Sequence, residues 1–147
     1  MLQPVYEARA QTFQISGLVD VSFGTISSVA TNRTVAQTVC VYNSLQGYTI
    51  KATGSGSGGA FTLANGSSTV PPMAYTVQWA FTGQQTVGTQ LTTGVGSRSP
   101  AGLNVLCSLG GLLSASASLI VTLPAADLGT ARAGNYTGTL SLMVSPN

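Results

Sequence analysis

The sequence has no histidine and little acid: Glu7, Asp20 and Asp127 carry its three carboxylate side chains. Histidine is the usual activator of a serine or cysteine nucleophile, so no Ser-His or Cys-His pair can be assembled. Acid–base work by carboxylates needs two in one cleft, and these three lie far apart in the sequence. A zinc site needs four ligands, and two cysteines without histidine do not supply them. Gly-rich "GSGSGG" (54–59) lacks the lysine and the following helix that make a phosphate loop. We therefore expect no enzyme activity, no metal and no cofactor. The bases are also few (Arg9, Arg33, Lys51, Arg98 and Arg132), and the net charge is +2. They form no stripe that could track a phosphate backbone, so no nucleic-acid partner is expected.

Charged residues make up 5% of the chain and hydrophobic residues 44%. Ser, Thr, Gly, Asn and Gln must supply the polar surface, which disfavours a cytosolic helical protein and suits a β-rich exported or assembled one. The N-terminus, "MLQPVYEARAQTFQ", lacks the basic segment and apolar core of a secretory leader, so for an exported protein the leader is expected outside this sequence. The stretch most like a membrane span is "LNVLCSLGGLLSASASLIVTL" (103–123). It is long enough. Gly110, Gly111 and interspersed Ser and Asn interrupt it, so it reads as a Gly-Gly loop leading into a strand at 116–123, and no membrane span is expected.

A length of 147 residues fits one domain, which can bury about two-thirds of its extended surface. No segment has a usable helical period. Strand-like runs recur at 12–22, 34–42, 47–53, 60–64, 74–81, 86–92, 116–123 and 135–145, separated by Gly, Ser, Asn and Pro. "TGVGSRSPAG" (93–102) reads as a long exposed loop, and Asp127 in "PAADLG" as a turn residue. Eight short strands at this spacing favour an antiparallel β-sandwich. In "AYTVQWAF", Tyr75, Val77 and Trp79 share one face, which makes Trp79 a core residue; a sugar-stacking platform is the alternative.

Cys40 ends the second strand and Cys107 lies ahead of strand 116–123. Their spacing does not suit a redox pair. We expect a disulfide, which implies an oxidising compartment; two buried free thiols are the alternative. Closing a loop of roughly 70 residues destabilises the unfolded chain by about 4 kcal/mol in the loop-entropy model.

The last strand-like run raises a separate question. In "AGNYTGTLSLMVSPN" (133–147), Tyr136, Leu140, Leu142 and Val144 alternate with Thr139, Ser141 and Met143, apart from a slip at Gly138. No strand-like run follows it in this sequence, so its open side is expected to need a cover, because an uncapped apolar edge invites aggregation.

Several stretches together resemble one family. They are "SGLVDVSFGTIS" (16–27), "TVCVYNSLQGYTIKATGSGSGGAFTL" (38–63), "MAYTVQW" (73–79), the cysteine at 107, and "ASLIVTLPAADLGTARAGNYTGTLSLMVSPN" (117–147). In order and spacing they are similar to the spore coat protein U domain, the pilin module of archaic (Csu-type) chaperone–usher pili. The strand ending at Phe23-Gly24 and the Ala133–Leu140 ending carry much of that likeness. The resemblance implies an all-β, incomplete immunoglobulin-like antiparallel sandwich that a donor strand completes. It implies a groove beside 135–145, lined by Tyr136, Leu140, Leu142 and Val144, with Phe23 and Trp79 in the core. The partners implied are a periplasmic chaperone, an outer-membrane usher and neighbouring pilus subunits. The location implied is the bacterial cell surface, with roles in adhesion and biofilm formation.

The N-terminus departs from the family pattern, with Phe13 only ten residues before Phe23 and no cysteine before Cys40. Residues 5–15 are then either a short donor segment carrying Val5, Phe13 and Ile15, or 12–22 is the sandwich's own first strand. In the second case 1–11 form a linker, 12–147 form the domain, and the chain suits the pilin domain of a tip adhesin. Two other functions compete: a self-contained module that binds glycans or surfaces through Trp79, Tyr42 or Tyr48, and a spore or cell coat component.

Overall fold

The structure, a computed structural model, describes residues 13–43, 47–100 and 117–147. Its strands, in chain order, are β1 (Phe13–Ser16), β2 (Arg33–Asn43), β3 (Tyr48–Gly54), β4 (Thr62–Leu63), β5 (Met73–Ala74), β6 (Thr76–Ala80), β7 (Thr89–Gln90), β8 (Gly96–Arg98), β9 (Ala117–Leu123) and β10 (Leu140–Pro146). One six-residue helix, α1 (Ala125–Thr130), follows β9. All pairings among the described residues are antiparallel. One sheet has the order β1-β2-β9-β6-β7 and a second β10-β3-β8, with β4-β5 as a short ribbon. The first sheet follows the A-B-E-D order of an immunoglobulin sandwich, and β3 with β10 takes the C-F positions. The fold is therefore an all-β, immunoglobulin-like antiparallel sandwich, as expected from the sequence.

The core forms where the alternating apolar rows of the two sheets meet. Val39 and Val41 of β2, Leu119, Val121 and Leu123 of β9, and Val77 and Trp79 of β6 are buried against Tyr48, Ile50 and Ala52 of β3. The Trp79 indole N–H donates to the Tyr48 hydroxyl at 3.1 Å and joins the two sheets through the core. Burial pushes the Tyr48 phenol up to about 12, and the bond from Trp79 offsets part of that rise.

Strand β9 is buried on both faces, although its sequence alternates. Ser118 explains this on the outer face. Its hydroxyl donates to the Thr82 carbonyl and accepts from the Gln85 N–H, each at 2.9 Å, so the loop after β6 folds back over the sheet. Residues 117–123 being a strand also contradicts a membrane helix over 103–123, and among the described residues no helix is long and apolar enough to cross a membrane.

Other sequence expectations need correction. The strand expected at 12–22 stops at Ser16, because Gly17 takes φ +84° and turns the chain off β2. The loop expected at 93–102 contains β8, which pairs with Thr49–Lys51 of β3. As an exposed edge strand it needs no apolar alternation, so it left no periodic signal. Asp127 lies in α1, a helix too short to show a period. The final strand begins at Leu140 rather than 135.

Candidate strand-accepting groove

Among the described residues, strand β10 is an edge. It pairs with β3 along Leu140↔Gly54 to Pro146↔Tyr48, and among the described residues nothing pairs with its other side. Leu140, Leu142 and Val144 point inward and pack against the buried core, yet each is only half-buried. Ser141 and Met143 face outward. Tyr48, Ile50 and Ala52 on the neighbouring strand are fully covered, so cover is lost on the side where a further strand would lie.

Both ends of β10 are fixed. The Tyr136 hydroxyl donates to the Arg132 carbonyl at 3.0 Å and accepts from the Arg132 N–H at 3.1 Å. This is the arrangement of the tyrosine corner that leads into the F strand of immunoglobulin-like domains. The Thr137 and Ala64 backbones exchange two hydrogen bonds, and the Thr139 N–H donates to Ser55 Oγ at 2.9 Å. At the far end, the Thr49 hydroxyl donates to Asn147 Oδ1 at 2.9 Å. Tyr136 is thus half-buried at the corner, off the strand itself, whereas Leu140, Leu142 and Val144 form the continuous inward row.

A second unpaired edge borders the same core. From Gly17 to Asn32 the chain forms no sheet pairing with the described residues. Val21, Phe23 and Ile26 nevertheless lay half-buried side chains on the core. This segment leaves β1, and β1 touches β10. The Gln37 side chain holds the segment at Val19: its Oε1 accepts the Val19 N–H at 2.9 Å, and its Nε2 donates to the Val19 carbonyl at 3.1 Å. Two backbone edges without sheet partners among the described residues therefore adjoin a row of half-covered aliphatic side chains. Burying the remainder of each would contribute on the order of 1 kcal/mol.

Of the candidate donor residues, Ile15 and the backbone of Phe13 lie in β1, paired with Val41 and Asn43 of the chain's own sheet. Val5 lies outside the described residues, as does Cys107. Cys40 is buried on β2. Phe23 packs on the core, and Trp79 is fully buried. The burial of Trp79 and Tyr48 contradicts their use as surface contacts for a glycan. A cavity of about 50 Å³ beside Pro72, Asp127 and Arg132 has room for no more than a few waters. Among the described residues no cluster of three His, Cys, Asp or Glu side chains could hold a metal.

Val21, Ile26 and Gln37 were not singled out from the sequence. Val21 and Phe23 do stand two apart, which was a readable signal; Gln37 becomes visible only once the register is known.

The site is thus, among the described residues, an unpaired strand edge in an immunoglobulin-like sandwich. No family model matches the chain, and no curated protein matches it. Among solved structures, it is similar to a chain of a chaperone–tip adhesin complex described as vital for synergistic activation of CFA/I fimbriae biogenesis. The TM-score is 0.61 at 18% sequence identity, over 92% of this chain and 41% of that one. At that identity the likeness shows the fold. The chain spans about two-fifths of the neighbour's length.

Proposed function

We propose that this chain is a subunit of an adhesive bacterial pilus and that it assembles by accepting a β-strand from another polypeptide. The observation that carries this reading is the half-covered row Leu140, Leu142 and Val144 on a strand whose outer edge has no partner among the described residues, beside a segment at 17–32 that likewise has none among them. The occupant that suits such a site is an extended strand with apolar side chains at alternate positions. Its main chain would pair along β10, and its alternate side chains would enter above Leu142 and its neighbours. Similarity to a chain of a fimbrial chaperone–tip adhesin complex supports the same reading. A periplasmic chaperone would cover the edge first, and a neighbouring subunit delivered through an outer-membrane usher would replace it. The working location would be the cell surface, with roles in adhesion and biofilm formation. The pairing of Phe13 and Ile15 within the chain's own sheet favours β1 as a sandwich strand over a donor segment.

The experiment is site-specific photo-crosslinking from Met143, which is exposed on β10. In cells that make the fibre, crosslinks are expected to a chaperone in the periplasmic fraction and to a second subunit in sheared fibres. A chain that crosslinks to nothing in either fraction, while remaining a folded monomer, would overturn the reading.

A further inference from the structure

Inward positions of β2 alternate as Val35, Gln37, Val39 and Val41, the first two half-buried and the last two buried. Gln37 therefore stands half-buried on the inward side, at the margin of the core and opposite buried Leu119 of β9. An amide here breaks the apolar pattern, and such breaks concentrate where function requires them. The register explains what it does. The β1–β2 ladder runs from Phe13↔Asn43 to Ser16↔Cys40. Continued by three residues, it would place Val19 opposite Gln37. Direct main-chain pairing does not continue there. Instead the Gln37 side chain bonds both the N–H and the C=O of Val19. A primary amide offers one acceptor and donors on adjacent atoms, as a peptide group does. The side chain thus supplies one rung of the ladder while holding the segment off β2 by its own length. Gly17, at φ +84° and with Thr38 O only 3.3 Å from where a Cβ would be, is the step that permits the offset.

We propose that Gln37 is a positioning residue for the strand-accepting groove: its amide fixes the 17–32 segment as the groove's second wall, so that an incoming strand meets hydrogen-bonding edges on both sides. This rests on the strand-accepting reading above. Gln37 has no contact with the incoming strand and acts through Val19.

The test uses the folded chain and a fluorescent synthetic peptide of alternating threonine and valine with lysine ends, followed by anisotropy. Gln37→Leu keeps the volume and removes both bonds. Gln37→Glu keeps the acceptor for the Val19 N–H but sets a carboxylate oxygen against the Val19 carbonyl. With Gln37→Leu, amide exchange at Val19 should quicken and peptide affinity fall about tenfold, as expected when one wall's bonds are misplaced. With Gln37→Glu, affinity should be weak at neutral pH. It should recover as pH falls through about 4, because the protonated acid can donate to Val19 again. A residue that merely fills space would show no such pH rescue, and the Gln37→Glu chain needs no comparison with a Leu variant that has lost its fold. Leu142→Asp separates the two ideas. If it abolishes binding while both Gln37 variants bind as the parent does, the positioning role is wrong and the groove stands. If the parent does not bind, or Leu142→Asp is also without effect, the groove reading itself fails, and this inference with it.

Discussion

Leu142 stands directly opposite Ala52 in the β10–β3 ladder, and the two are covered unequally: Ala52 is fully buried and Leu142 half-buried. Residues opposite each other in an antiparallel pair point to the same face, so both look into the same core. What separates them is position in the sheet. Ala52 lies on the central strand of three, and Leu142 on an edge. Among the described residues the missing cover is therefore lateral, on the side where the proposed additional strand would lie.

The bond between Trp79 and Tyr48 yields a stability test. Tyr48→Phe leaves the buried indole N–H without a partner and should cost about 1–3 kcal/mol in urea denaturation. The parent should also respond to alkali. The folded-state value near 12 lies above the ordinary phenol value of 10.0, so folded protein holds the proton more tightly than unfolded chain. That contribution is intact below pH 10 and is lost as pH rises from 10 to 12. The Tyr48→Phe protein should lack this part of the alkaline decline, as measured by midpoints across that window.

The Tyr136 corner is expected to matter for stability and for the entry into β10. Tyr136→Phe removes both bonds to the Arg132 backbone and should destabilise the fold by about 1 kcal/mol. Hydrogen exchange should quicken most over 132–140 in the variant. A uniform change across the chain would contradict a local role.

For the cysteines, a Cys40–Cys107 disulfide is the expected state in protein recovered from an oxidising compartment. Non-reducing peptide mapping should recover the two peptides linked. Reduction should lower the melting temperature, the loop-entropy model giving about 4 kcal/mol. Linked peptides with an unchanged melting temperature would contradict the loop-closure argument.

Elements with strong alternation were legible in the sequence. The row Tyr75, Val77 and Trp79, which runs into β6, and the β10 row Leu140, Leu142 and Val144 follow from a period of two, because each faces one core. Elements that depend on partners left no local trace. Strand β8 is an exposed edge held by pairing with β3, and α1 spans less than two turns. The 12–22 expectation failed at Gly17: "ISGLVDVSF" keeps an apolar pattern through the point where the chain leaves its sheet, since Val21 and Phe23 still rest on the core. Tyr136 reads as part of the strand because it lies four residues before Leu140, yet its hydroxyl is committed to a corner. Gln37 reads as an ordinary polar residue until pairing places it inward beside Val19.

The most direct measurement compares incorporation of Leu142→Asp and Ser141→Asp into fibres, scored as the fraction of chain recovered in the sheared-fibre fraction. Leu142 faces the core and Ser141 faces outward on the same strand. An aspartate at 142 would be buried without a partner once a strand is added, at a cost of several kcal/mol. It should abolish incorporation, while Ser141→Asp should assemble nearly as the parent does. Equal incorporation of Leu142→Asp and the parent would mean that β10 is not where another subunit binds, and would contradict the account.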